Sequence, residues 1–326
     1  MPLLGSGFLN YSQDRTGINQ TIKPVEMKIN IVTRVLNEIY FLDTFIRYYL
    51  DLGVDEIHFF DSKSTDKTPE TIKNWHKKHP GVQLIRSSRK LLHTGYSKET
   101  EICNRVLQHT MKDYKKRKEE TWWIFADIDE FLRPPAGGLR DFLQTTPGNI
   151  IRCVFLEWYL PMEIAEARIS AGETLDYIYE GKARGRLLDL WGDPFYKDFV
   201  LRLSPRTIKD FSRFRTIAGN HRYLFNGETV VPPNTPFLTF DHLRGVSIDI
   251  TFSRIDQWLH LQEVTRQKMN DNMTYEHFQE KKKEIVDYEN FYRTTLKPKE
   301  EVEALLEDVG SYDNSKSLYN KMIFRT

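Results

Sequence analysis

Trp122-Trp123-Ile124-Phe125-Ala126-Asp127-Ile128-Asp129-Glu130-Phe131 runs five apolar residues straight into a pair of carboxylates. An apolar run this short, rich in aromatic side chains and lacking a helical period, reads as a strand buried on both faces. Asp127 and Asp129 fall where that strand ends. Two carboxylates one residue apart can both face a hard divalent cation. Mg2+ and Mn2+ favour such oxygen ligands and keep positions open for substrate phosphates. A cation there would neutralise charge gathering on a departing diphosphate. The plainer reading is that the aspartates cap the next segment or pair with nearby Arg133.

Upstream of this stretch the pattern alternates. Ile29–Val32 is a short strand-type run. Ile39, Leu42, Phe45, Ile46, Tyr49 and Leu50 then recur at helical spacing and are closed by Gly53. Ile57–Phe60 is a second strand. Pro69–His79 is a helix entered through Thr68, with proline in its first turn. Val82–Ile85 makes a third strand and Lys98–Tyr114 a helix before the fourth strand, Trp122–Ala126. Four strand–helix alternations predict an α/β protein with a mostly parallel sheet. In such sheets ligands sit beyond the carboxyl ends of the strands. Weight therefore falls on Asn37–Glu38, Asp61–Asp66 and Asp127–Glu130, three clusters predicted to converge on one cleft. In Asp61-Ser-Lys-Ser-Thr-Asp66-Lys-Thr68, the carboxylates can accept from a base N–H and from ribose hydroxyls. Ser64, Thr65 and Thr68 can equally be turn and cap residues, and Asn37 can be an N-cap.

Among 326 residues, 47 Lys plus Arg balance 46 Asp plus Glu, for a net charge of +1. That balance offers no global attraction to nucleic acid or to an anionic membrane. Cys103 and Cys153 are the two cysteines and lie in apolar runs, which argues against a disulfide framework. Met1–Asn10 lacks a basic region followed by a long apolar stretch, and no stretch approaches the roughly 20 apolar residues of a membrane span. A soluble, cytoplasmic protein without a transmembrane segment is expected. Residues 1–26 read as an irregular leader. Residues 149–245 carry strand-like runs (Ile150–Leu156, Phe199–Leu203, Phe237–Phe240) between loops rich in Gly, Pro and Arg. Residues 246–326 read as a charged helical extension, a candidate surface for homo-oligomers.

In their order and spacing, Thr33-Arg-Val-Leu-Asn37-Glu38, Gly53-Val-Asp-Glu-Ile, Asp61-Ser-Lys-Ser-Thr-Asp66-Lys-Thr68 and Phe125-Ala-Asp127-Ile-Asp129-Glu130-Phe131 resemble family 2 glycosyltransferases of the GT-A fold. The branch they resemble also looks like family 92, whose metal motif reads D-x-D-E-F. The resemblance is strong over residues 28–132, patchy to about residue 258, and absent from the leader and the C-terminal helices. It implies a GT-A-like domain at 27–245, with a nucleotide-sugar-binding half at 27–132 and an acceptor-side half at 133–245. It implies Mn2+ or Mg2+ and a nucleoside diphosphate sugar donor, with a UDP-sugar favoured, and transfer to a glycan hydroxyl with inversion. By the same resemblance, Asn37, Glu38, Asp61 and Asp66 line the nucleotide pocket. Asp127 and Asp129 form the D-x-D pair, and His242 is a third metal ligand or a diphosphate contact. Asn220–His221 is a weaker candidate.

The family's usual D-G-S run is here replaced by Ser62-Lys63-Ser64, which leaves base preference open. Inverting transfer needs a carboxylate to take the acceptor's proton. No downstream motif singles one out, and Glu157, Asp193 and Asp241 are the candidates. Two other readings compete. A sugar-phosphate nucleotidyltransferase would carry a Gly-rich basic loop after the first strand, where Thr33–Glu38 has no glycine. A carbohydrate-binding or scaffolding protein that had lost activity would not need an intact Asp127 and Asp129.

Overall fold

The computed structural model describes residues 27–86, 96–117, 119–161, 169–187, 196–203, 214–217, 222–225, 228–229, 237–247 and 294–308. Its first half alternates as expected: β1 (Lys28–Val35), α1 (Ile39–Asp51), β2 (Glu56–Asp61), α2 (Thr68–Lys78), β3 (Val82–Arg86), α3 (Tyr96–Arg117) and β4 (Thr121–Phe125). Helix α1 forms because Phe41, Leu42, Phe45, Ile46 and Tyr49 fall on one face, which is buried against the sheet. It stops at Gly53, whose φ of 89° continues the chain in the left-handed region.

The second half adds β5 (Glu130–Leu132), α4 (Leu139–Thr145), β6 (Ile150–Leu160), α5 (Ala171–Tyr179), β7 (Arg184–Arg186), β8 (Tyr196–Leu203), β12 (Leu238–Ser247) and a C-terminal helix, α6 (Lys299–Asp308). Strands β9 (Phe214–Ile217), β10 (Arg222–Phe225) and β11 (Glu228–Thr229) form a separate small antiparallel sheet. Among the described residues the main sheet runs β3-β2-β1-β4-β8-β6-β12-β5, with β7 beside β6. Strands β3, β2, β1 and β4 are mutually parallel. β8 runs against both β4 and β6, so β6 and its parallel neighbour β12 share the direction of β1. β5 and β7 are antiparallel additions. This is the mostly parallel α/β sheet that the sequence predicts.

Connectivity forces the sheet to curl. β4 and β5 stand four strand spacings apart, or about 19 Å in a flat sheet. The five residue steps from Phe125 to Glu130 reach at most about 18 Å. The sheet bends back on itself, bringing the β12 end over the carboxyl end of β4. Tyr49 secures the junction: its hydroxyl donates to the Glu130 carbonyl at 2.7 Å and accepts from the Leu132 N–H at 3.1 Å. The core between α1 and the sheet is aromatic, with Phe45 and Tyr49 packed on Phe131 at centroid distances of 5.9 and 6.3 Å.

The C-terminal segment belongs to this body. Lys297 exchanges two backbone hydrogen bonds with Gly185, at 2.9 and 2.8 Å. Val302 is fully buried, and Glu303 meets Arg133 at 3.2 Å. Most of the expected helical extension, residues 248–293 and 309–326, lies outside the described residues. No described helix is long and apolar enough to cross a membrane.

Candidate active site

The turn after β4 is fixed from both sides. The Glu130 N–H donates to the Asp127 carbonyl at 3.0 Å, and the buried Glu130 carboxylate accepts from the Asp127 N–H at 2.8 Å. Ile128 turns into the core. Asp127 and Asp129, on either side of it, keep 39% and 23% of their side chains exposed. The alternation of apolar and acidic residues thus sorts inward from outward. Arg34, on β1, brings a guanidinium nitrogen to 3.7 Å from Asp127 Oδ1. Arg133, which the sequence offered as a partner for these aspartates, pairs elsewhere.

His242 arrives from β12. Its backbone is opposite Glu130 of β5 and beside Glu157 of β6, and the Leu243 N–H donates to the Asp129 carbonyl at 2.7 Å. The imidazole bridges two carboxylates: Nε2 lies 3.4 Å from Asp129 Oδ2, and Nδ1 lies 3.5 Å from Glu157 Oε1. Burial and the Arg244 guanidinium push its pKa down. Asp129 and Glu157 more than offset them, and the net shift is upward. Among the described residues no group of three His, Cys, Asp or Glu side chains stands close enough together to hold a metal ion. Of the three expected ligands, Asp129 and His242 meet at 3.4 Å, and Asp127 lies two residues before Asp129 on the same turn.

Two of the three expected bases are engaged. Glu157 is only 5% exposed. Its Oε2 takes Arg186 Nε at 2.7 Å and its Oε1 takes Arg244 Nη2. Burial alone would raise its pKa, but the two guanidiniums and His242 hold it well below the usual carboxylate range. A carboxylate so stabilised as the anion is a poor proton acceptor. The sequence places Glu157 at the end of an apolar run, but β6 continues through Trp158-Tyr159-Leu160. That makes Glu157 a mid-strand residue facing Arg186, its register partner on β7. Asp241 sits within β12, on the face opposite His242. It accepts two bonds from Arg133 and one from Trp158 Nε1–H at 2.7 Å. The third candidate, Asp193, and Asn220–His221 lie outside the described residues.

At the nucleotide side, Asp61 ends β2 and is buried. Its Oδ1 accepts the Ser64 N–H at 2.9 Å, while Oδ2 bonds to nothing among the described residues. Asp66 caps two helices: Oδ1 takes the Thr68 N–H at 2.9 Å and Oδ2 the Ile39 N–H at 3.4 Å. Asn37 does not cap α1, a position held by Glu38. With φ at 59°, a conformation asparagine tolerates, Asn37 instead ties the first loop to the second. Its Oδ1 accepts the Thr65 N–H at 2.8 Å, and its N–H donates to Ser64 Oγ at 2.9 Å. The Glu38 N–H donates to Thr68 Oγ1 at 2.9 Å. Asn37, Glu38 and Asp66 therefore tie the loop after β1 to the loop that follows Asp61. Arg34, Arg186 and the pairing of Arg244 escaped the sequence reading. Its only hint was the arginine content of the Gly-rich segment around Arg184 and Arg186.

Comparison with known proteins points to glycosyltransferases. The model of the family described as "Glycosyltransferase family 92" matches residues 38–156, so the resemblance carried by the sequence motifs holds across the turn at Asp127–Asp129. No curated protein matches the chain. Among solved structures it is similar to a mannosyltransferase from Pyrobaculum calidifontis in complex with GDP-Man and Mn2+. That match has 15% identity and a TM-score of 0.37, covering 73% of this chain and 64% of the other. It is also similar to S. aureus TarS 1-349 in complex with UDP, at 13% identity and a TM-score of 0.31, covering 69% and 62%. A third is glucosyl-3-phosphoglycerate synthase from Mycobacterium tuberculosis with Mn2+, UDP and glucosyl-3-phosphoglycerate. There the identity is 18% and the TM-score 0.29, covering 56% and 58%. The chain spans just under two thirds of the length of the first two.

Proposed function

We propose that the chain is a metal-dependent glycosyltransferase that moves a sugar from a nucleoside diphosphate sugar, preferably a UDP-sugar, to a glycan hydroxyl with inversion. The observation that supports this reading is the placement of Asp127 and Asp129 at the end of β4, with His242 Nε2 of β12 3.4 Å from Asp129 Oδ2. These three residues would hold Mn2+ or Mg2+. Such a cation, when bound, supplies charge neutralisation for the departing diphosphate. Asp61 Oδ2 accepts from the base or a ribose hydroxyl, and the Ser64 N–H on Oδ1 fixes the carboxylate for that contact. Arg34, beside Asp127, adds positive charge where the diphosphate lies. With the oxygens of Glu157 and Asp241 engaged, Asp193 is left as the candidate for the base that takes the acceptor's proton.

Two measurements test the reading. The first is a thermal-shift screen of nucleoside diphosphates and nucleotide sugars with and without Mn2+, because a ligand bound by the native state alone raises apparent stability. The second is Mn2+-dependent release of nucleoside diphosphate from the best donor. Stabilisation that needs Mn2+, together with donor cleavage, is expected. Cleavage unaffected by removing divalent cations would overturn the metal, and stabilisation without any cleavage would favour the inactive binding protein.

A further inference from the structure

Among the described residues, two that are not glycine hold a positive φ, and they stand on facing loops. Asn37, at 59°, follows β1, and Lys63, at 67°, follows β2. Asparagine visits the left-handed region readily, whereas a lysine enters it against the clash of its Cβ with the following carbonyl. Such strain persists where neighbouring structure imposes it, and it gathers at functional sites. Lys63 is held on both sides. The Ser62 N–H donates to the Val35 carbonyl at 2.9 Å. The Ser64 N–H donates to Asp61 Oδ1 at 2.9 Å, and Ser64 Oγ accepts from the Asn37 N–H at 2.9 Å. Glycine or asparagine would take this conformation at lower cost. The use of a lysine there lies in its side chain.

The same turn holds Asp61, buried at the end of β2, while Lys63 is exposed two residues on. An acceptor-only carboxylate and a donor-only ammonium thus share one short turn. Together they complement a ligand edge that gives one hydrogen bond and accepts the next, as a nucleobase edge or a ribose diol does. The end of β2 lies two strand spacings from the end of β4, with β1 between them, or about 10 Å. That distance separates Lys63 from the turn at Asp127, where the diphosphate is placed.

We infer that Lys63 is a donor-binding residue for the nucleoside half of the nucleotide sugar. Its ammonium donates to an acceptor atom of the base or ribose, while Asp61 Oδ2 accepts from the neighbouring N–H or O–H. This rests on the nucleotide-sugar reading above and is independent of the metal.

The test is calorimetry on the full chain with the mono- and diphosphates of uridine and guanosine and with inorganic pyrophosphate, in one buffer. Lys63→Asn keeps a residue that accepts the backbone conformation and removes the charge; Lys63→Arg keeps a donor cation. For the tighter-binding base, Lys63→Asn should weaken the mono- and diphosphate by the same factor, about tenfold or more, as expected for losing a hydrogen bond from a charged group. Pyrophosphate binding should not change, and Lys63→Arg should retain most of the affinity. The 2′,3′-dideoxy form of the diphosphate separates the two contacts. A loss that persists with it assigns the base, and one that vanishes assigns the ribose hydroxyls. Lys63→Asn should also unfold at the same urea concentration as the unaltered protein or a higher one. A lower midpoint would overturn the inference by showing that the lysine serves the fold. So would unchanged nucleotide affinity, or a loss confined to the diphosphate and pyrophosphate. If the unaltered protein binds none of these nucleotides, the nucleotide-sugar reading itself has failed and Lys63 falls with it.

Discussion

Arg133 grips Asp241 through two hydrogen bonds of 2.8 Å, Nε to Oδ2 and Nη2 to Oδ1, on the face of β12 turned away from His242. Trp158 adds a third bond to the same carboxylate, and Glu303 of α6 holds Arg133 from the far side. The assembly braces β12 from behind, so that His242 on the other face meets a fixed Asp129.

From this pairing we expect Asp241→Ala to lose about 2–4 kcal/mol of stability, somewhat less than the roughly 3–5 kcal/mol for breaking a fully buried ion pair, because Arg133 and Asp241 keep 26% and 13% of their side chains exposed. Turnover per folded molecule should stay within a few-fold of wild type. Urea denaturation and donor-cleavage kinetics measure the two effects. A stable but inactive variant would place Asp241 in the chemistry after all.

Asp129→Ala should fold, lose transfer, and lose the Mn2+ dependence of UDP binding, because its side chain lies on the open side of a turn held by Glu130. Thermal shift with UDP, with and without Mn2+, reads this directly. Undiminished turnover by the folded variant would contradict the metal assignment.

Asp61→Asn separates the two oxygens of Asp61. The amide oxygen can still accept the Ser64 N–H, so the turn survives, while the other position becomes a donor. A base or ribose contact is made in both ground and transition states. Donor KM should therefore rise by about tenfold or more, the equivalent of roughly 1.4 kcal/mol, with kcat little changed. A fall in kcat at constant KM would place Asp61 elsewhere in the cycle.

Gly185→Ala should cost about 1–3 kcal/mol, the usual range for overpacking. A Cβ there would meet Trp158 Cε3 at 2.5 Å and the Glu157 carbonyl at 3.0 Å. Because Gly185 precedes Arg186, the displacement of β7 should also loosen the clamp on Glu157. Equilibrium unfolding of the variant checks the cost, and unchanged stability would refute the tight packing of β7 on β6.

The two ends of the Glu157–His242 pair predict opposite pH trends. Glu157 has a depressed folded pKa. Its contribution is complete above the unfolded value of about 4.3 and fades as pH falls through the folded one. His242 has a raised folded pKa. Its contribution is complete below about 6.5 and fades as pH rises through the folded value. Metal-free protein should therefore gain most from this pair between about pH 4.3 and 6.5. Urea denaturation across pH, compared with His242→Gln, should show the decline above that window disappearing in the variant. An identical decline in both proteins would remove His242 as its source.

Much of the first half was legible because strand and helix periods there are clean. β1 through β4 and the helices between them fall within a few residues of their sequence-read bounds. The acidic clusters were found for the same reason: they sit at strand ends, where chain direction alone identifies a cleft. The second half was harder because β6 and β12 carry charged residues inside strands. Glu157 and Asp241–Arg244 read as strand termini, since a buried charge looks like a loop until its partner is known. Those partners, Arg186 and Arg133, lie 29 and 108 residues away along the chain, and no local pattern announces them. The three-residue β5 and the helix α5 were missed as well, the former because it is too short for period-two alternation to register.

The crossing of the chain through the sheet sets an order of events during synthesis. β8 fills the gap between β4 and β6, and β5 pairs with a strand more than a hundred residues later. A nascent chain that has emerged only through Asp129 holds both aspartates of the β4 turn but lacks the Leu243 amide that secures the turn and the imidazole that faces Asp129. Pairing at this sequence distance closes slowly. The candidate site is accordingly complete only after β12 has joined the sheet. A ribosome stalled anywhere before residue 247 carries a strand-rich intermediate with open edges and no activity, the kind of species on which chaperones act.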